Sequence, residues 1–134
     1  MSDLRVAIQE DQPALGVRSE EELMDAVAVG VEESNRRGHL GLINLEVPGG
    51  NVSSIVVGSE ETVLSFVYGH GNPPYYVSRG KAESIDPVFT CFLLFEHHTE
   101  FARRNVIPMP DGIKAAREFF AVNDLPKSVA WEEV

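Results

Sequence analysis

The chain has 134 residues and one cysteine, with 21 acidic residues against 11 basic ones for a formal charge of −10. That length suits a single domain spanning 1–134 that buries its own core, and one cysteine rules out an internal disulfide or a multi-cysteine zinc site. The charge opposes binding to nucleic acid or anionic membrane, both polyanions, and favours a basic partner.

Arg5–Gln9 reads as a short opening strand, broken by Asp11-Gln-Pro13. Ser19-Glu-Glu-Glu22 fits a helix-capping box, with three carboxylates at the positive end of the helix dipole. Leu23, Val27, Gly30 and Val31 follow at helical spacing, with Asp25, Glu32 and Glu33 elsewhere on the circumference and Glu32-Glu33 expected to face solvent. Arg36-Arg37-Gly38 closes that helix with cations and a glycine stop.

A β meander comes next. Ile43, Leu45 and Val47 alternate, Pro48-Gly-Gly-Asn51 turns, Ser53–Val57 returns, Gly58–Glu61 turns again, and Val63–Tyr68 forms another strand. The Gly69–Pro74 loop is too rich in Gly and Pro to be regular, and it delivers Tyr75–Ser78 as a short strand. Val88–Phe95 is nearly continuous in apolar residues and is expected to be a strand buried on both faces. Cys91 inside it reads as a small buried hydrophobe. Pro110 suits a first helical turn, Ile113, Ala116 and Phe120 make an apolar stripe, and Asn123–Pro126 ends that helix. Val129 and Trp131 share one face of a terminal extended segment, toward the core. These elements predict an α+β fold: a single antiparallel β-sheet of about five or six strands with two helices packed on one face.

Reactive constellations are sparse. His97 and His98 are adjacent, so on a strand they point to opposite faces and cannot share an ion; only Glu96 with His98 could converge, which is too few ligands for a metal. His70, between Gly69 and Gly71, has no nucleophile motif beside it. Pro48-Gly49-Gly50 lacks the helix that a phosphate cradle needs. The sequence therefore points to no catalytic residue, no metal and no cofactor. It points instead to a surface. No Lys or Arg occurs between Arg37 and Arg79, while Glu46, Glu60 and Glu61 lie in that span. Tyr75-Tyr76 follows Pro73-Pro74, and exposed tyrosine is favoured at interfaces. Glu60, Glu61, His70, Tyr75, Tyr76 and Glu96 are the candidate partner contacts, the carboxylates steering and tyrosine anchoring. The competing readings are a small-ligand-binding regulatory domain, or a small enzyme using His70 or the His97-His98 pair. The chain opens with no basic segment followed by an apolar one, and no apolar run approaches a membrane span, so the expected location is the cytoplasm.

Tyr76-Val-Ser-Arg-Gly80, Ala115-Ala-Arg-Glu-Phe-Phe120 and Pro126-Lys-Ser-Val-Ala-Trp131, with the order of elements around them, resemble the first-described immunity-protein family of bacterial polymorphic toxin systems. That resemblance implies an antitoxin without catalysis of its own, which binds and blocks a cognate toxin. Members often accompany deaminase-type toxins that act on nucleic acid. Such a toxin must attract phosphates, so an acidic inhibitor could occupy the same surface.

Overall fold

The computed structural model describes residues 3–134. Two central strands, β3 (Gly41–Glu46) and β4 (Val52–Val57), organise it because almost every side chain in them is buried, on both faces. A strand with two apolar faces needs two covers. Ahead of β3 come β1 (Leu4–Ala7), β2 (Leu15–Val17) and α1 (Glu20–Arg37); after β4 come β5 (Glu61–Thr62), β6 (Leu64–Val67) and β7 (Tyr75–Ser78). The chain continues through β8 (Phe89–Leu93), β9 (His97–Phe101), a 3-10 turn at Arg103–Asn105, β10 (Ile107–Pro108), α2 (Met109–Val122) and β11 (Trp131–Glu133).

Among the described residues the main sheet has nine strands in the order β11-β7-β6-β4-β3-β1-β2, with β8 and β9 branching from β3, while β5 and β10 form a separate two-stranded ribbon. This corrects the expectation of five or six antiparallel strands: β2, β9 and β11 also join the sheet, and β8 pairs with β3 in parallel, Gly41 opposite Phe92. The branch arises because β3 divides one edge between two neighbours, Gly41–Leu42 facing β8 and Asn44–Glu46 facing β1.

The helices supply the first cover. Ser19 caps α1 by accepting from the Glu22 amide at 3.1 Å, the Glu22 carboxylate reaches back to the Arg18 amide, and Gly38 closes the helix in the left-handed region. Helix α2 carries Pro110 in its first turn and ends at Asn123. Leu23, Ala26 and Val27 of α1 and Ala115, Ala116, Phe119 and Phe120 of α2 pack on Ile43, Leu45, Ile55, Leu64 and Phe66. Trp131 is half-buried against the same cluster, edge-on to Phe66, and its indole N–H donates to the Pro126 carbonyl at 2.7 Å.

The second cover comes from the segment after β7. Leu42, Val56, Val63 and Val77 on the opposite face meet Cys91 and Leu93 of β8, Phe101 of β9 and Val106. Strand β8 is thus not buried on both faces as its composition suggested; it lies between β3 and β9, and Cys91 is its one fully buried residue. The apolar run ends in a tight turn in which Leu94 and Phe95 both take positive φ, 50° and 64°. Phe95 leaves β8 and enters the helix-side core, its ring lying directly over Gly41, where any Cβ would collide with it.

Two outcomes follow from this packing. Trp131→Ala should lower stability by about 2–3 kcal/mol, from lost ring burial and one lost hydrogen bond, measured as a shift in the urea midpoint. Burial pushes the Cys91 thiol up to about 12, so at pH 8 it should react with a thiol reagent only at the rate of unfolding.

Candidate functional site

The structure divides five of the six candidate contacts among three places and turns the sixth, Tyr76, toward the core. His70 and Tyr75 lie at the end of the sheet where Val52 opposes Val67 and Val67 opposes Tyr75. Glu60 and Glu61 follow the opposite end of β4, about 17 Å away at the usual rise of a strand. Glu96 sits at the β8–β9 turn, beside the C-terminus of α1.

Period-two alternation splits the tyrosine pair. Tyr76 faces the helices and packs around Phe66, Tyr68 and Trp131. Tyr75 faces the other way, is half-buried, and donates its hydroxyl to the Gly71 carbonyl at 2.8 Å. The exposed His70 ring stacks on Tyr68 with centroids 5.5 Å apart, and its Nδ1 accepts from the Asn72 amide. Neither His97 nor His98 belongs to a reactive cluster among the described residues: His97 contacts Glu10 at 2.8 Å, and His98 lies 3.6 Å from Glu100.

Two of the candidate carboxylates are already engaged. Glu61 forms a two-point pair with Arg103, and Glu96 accepts from Arg37 at 3.2 Å. Glu60 is exposed and holds the start of α2 only through its backbone carbonyl, which accepts from the Met109 amide.

Sequence reasoning missed the arginine networks. Glu33, expected to face solvent, is buried and accepts from both Arg36 and Arg37. Arg37 also donates to the Phe95 carbonyl at 3.1 Å and to the Gln9 side chain at 3.1 Å, with its guanidinium 5.5 Å from the Phe95 ring. The signal was available: cations three and four residues after a helical carboxylate reach it from one face. Arg79 forms the second hub, donating to the carbonyls of Ala82 and Arg104 and to Glu83. Glu132 on β11 then pairs with Arg104 at 3.0 Å and lies 3.8 Å from Arg79. Gly80 lets this crossing close, since a Cβ there would collide with the Val106 carbonyl oxygen. Beside the hub is an open cleft of about 630 Å³ whose charged lining mixes Arg79, Lys81 and Arg103 with Glu61 and Asp111.

These pairings set the carboxylate electrostatics. Hydrogen bonds from Arg36, then Arg37, hold Glu33 below its ordinary value of 4.5 despite burial. Arg104 does the same for Glu132, and the Lys127 amide does so for Glu118. Cations are consumed in the process: Arg36, Arg37, Arg79, Arg103 and Arg104 all end in ion pairs. Among the described residues, Asp25 and Glu32 on α1, with Glu20 and Glu21 at its start, have no cationic partner. What the geometry presents is a charged surface on a stapled sheet, the form of an interaction protein.

The family comparison specifies that class. The model of the family described as Immunity protein Imm1 matches residues 10–133, and the chain belongs to that family. It is thus an immunity protein by family, and membership implies a toxin as partner. The comparison with curated proteins finds no match.

Glu33→Gln leaves Arg37 without its main counter-charge and should cost about 1–3 kcal/mol at pH 7. Because the folded state lowers the affinity of Glu33, Glu118 and Glu132 for protons, their stabilisation is present above pH 4.5 and is lost as pH falls through the depressed folded values. Urea melts between pH 7 and 3 should therefore show falling stability on the acid side, with a shallower fall for Glu33→Gln.

Proposed function

We propose that this chain binds a cognate toxin of a bacterial polymorphic toxin system in the cytoplasm and neutralises it by covering its active surface. The toxin is basic and acts on nucleic acid, a deaminase-type domain being the expected class. The observation that carries this reading is the distribution of charge, taken with the family. Much of the positive charge is spent on internal staples, while a large share of the negative charge remains on the surface. A protein of that kind repels nucleic acid and attracts the basic surface by which a nucleic-acid enzyme holds phosphates. Inhibition then needs no chemistry from the inhibitor, only occupancy.

Among the candidate contacts, Glu60, His70 and Tyr75 have side chains available to a partner. Glu61, Tyr76 and Glu96 serve the fold as well, through Arg103, the aromatic cluster and Arg37. Carboxylates gain the complex mostly association rate, whereas an apolar or aromatic anchor slows its dissociation.

Co-expression with the toxin domain encoded beside this chain tests the reading by host survival and co-purification. The expected result is survival, a stable complex, and an association rate that drops about tenfold or more between 50 and 500 mM salt. A folded chain that neither protects the host nor binds an active toxin would overturn it.

A further inference from the structure

The geometry points to the groove between β2 and α1 as the surface that docks the basic toxin, an inference that rests on the functional reading above. Strand β2 is an edge of the sheet, bonded only to β1 among the described residues. Leu15 on β2 and Val29 on α1 are two of the large apolar side chains left exposed, at 41 % and 42 %. They line a shallow groove of about 220 Å³ together with Gly16, Val17 and Ala26. A second hollow of about 250 Å³ shares Leu15 and Val29 with it and reaches Pro13 and Ile8.

Carboxylates rim this apolar strip. Glu22 and Asp25 line the groove itself, Glu32 stands one turn beyond Val29 on α1, and Asp11 is exposed at the β1–β2 turn. Arg18 is the one cation in the sequence between Arg5 and Arg36, against eight carboxylates over the same span. An apolar centre inside a charged rim is the arrangement in which the centre supplies affinity and the rim excludes water and steers. A cationic, nucleic-acid-binding face of a toxin is the partner that matches both parts. The hairpin surface at Glu60 and Glu61 offers less, since Arg103 already neutralises one of those charges.

Val29 provides a clean test. It lines both hollows, and its side chain is 42 % exposed on α1. Val29→Arg should therefore fold, arginine being a good helix former, while placing bulk and positive charge in the groove, and Val29→Ile is the control that keeps the surface apolar. Binding of the adjacent-gene toxin domain should weaken about 30-fold or more for Val29→Arg and stay near wild type for Val29→Ile. Asp25→Lys with Glu32→Lys should slow association and flatten its salt dependence. Hydrogen exchange on the wild-type complex reads the same surface without mutation, and amides of Leu15–Val17 and the middle of α1 should gain protection. Wild-type failure to bind would overturn the functional reading and this surface together. Wild-type binding that survives Val29→Arg, or that is lost only in His70→Ala and Tyr75→Ala, would overturn the surface and leave the function standing.

Discussion

Burial of β3 and β4 on both faces is the constraint on which the rest of the molecule depends. A half-exposed sheet could have been finished by two helices. With Leu42, Val56 and Val77 apolar on the far side, the chain has to bring a second layer back from residues distant in sequence. That layer joins the β8–β9 hairpin to irregular loop, and the loop is held by point contacts. Arg79 gathers the loop after β7, the 3-10 turn and β11, and Arg37 gathers the β8–β9 turn, the end of β1 and the end of α1. Each guanidinium satisfies several carbonyl or carboxylate oxygens at once, which a planar five-donor group does better than any other side chain.

This division of labour explains how so acidic a chain keeps its shape. Like charges repel across a compact surface, and spreading the cations among the acids would relieve that. Instead Arg36, Arg37, Arg79, Arg103 and Arg104 are drawn into ion pairs, and Arg37 and Arg79 also order backbone. The remaining carboxylates on the first half of α1 are tolerated because Glu20, Glu21 and Glu22 complement the helix dipole. One end of the molecule is therefore strongly negative as a by-product of how the other end is tied. An interaction protein can use that asymmetry without any side chain being set aside for it.

Elements whose signals are local were legible in the sequence. Ser19 and Gly38 bracket α1, Pro110 and Asn123 bracket α2, and the Gly-rich turns punctuate β3, β4 and β6. The family was legible too, from the short pieces around Arg79, Phe119 and Trp131. The strand count was not. Strand β2 is three residues containing a glycine, too short to show alternation, and β9 carries His97 and His98 in place of apolar residues. The β8–β9 turn was hidden because Leu94 and Phe95 occupy a backbone region that sequence rules assign to glycine or asparagine. The contact surface was read from a cation-free stretch of sequence. In space that stretch is mostly sheet interior, and of its acidic members Glu61 borrows a cation from elsewhere, Arg103 across 42 positions.

The β8–β9 turn has a consequence for how the molecule comes apart. Two consecutive non-glycine residues in the left-handed region cost roughly 1 kcal/mol or more each. What offsets the cost is the Phe95 ring over Gly41 and the Arg37 bond to the Phe95 carbonyl, contacts that span more than fifty residues. The hairpin is thus not an autonomous unit, and the last turn of α1 and the tip of β8–β9 must fray or hold together. Cooperative unfolding is in this sense written into the backbone at one corner of the sheet, where a local opening would remove the support that makes the turn tolerable.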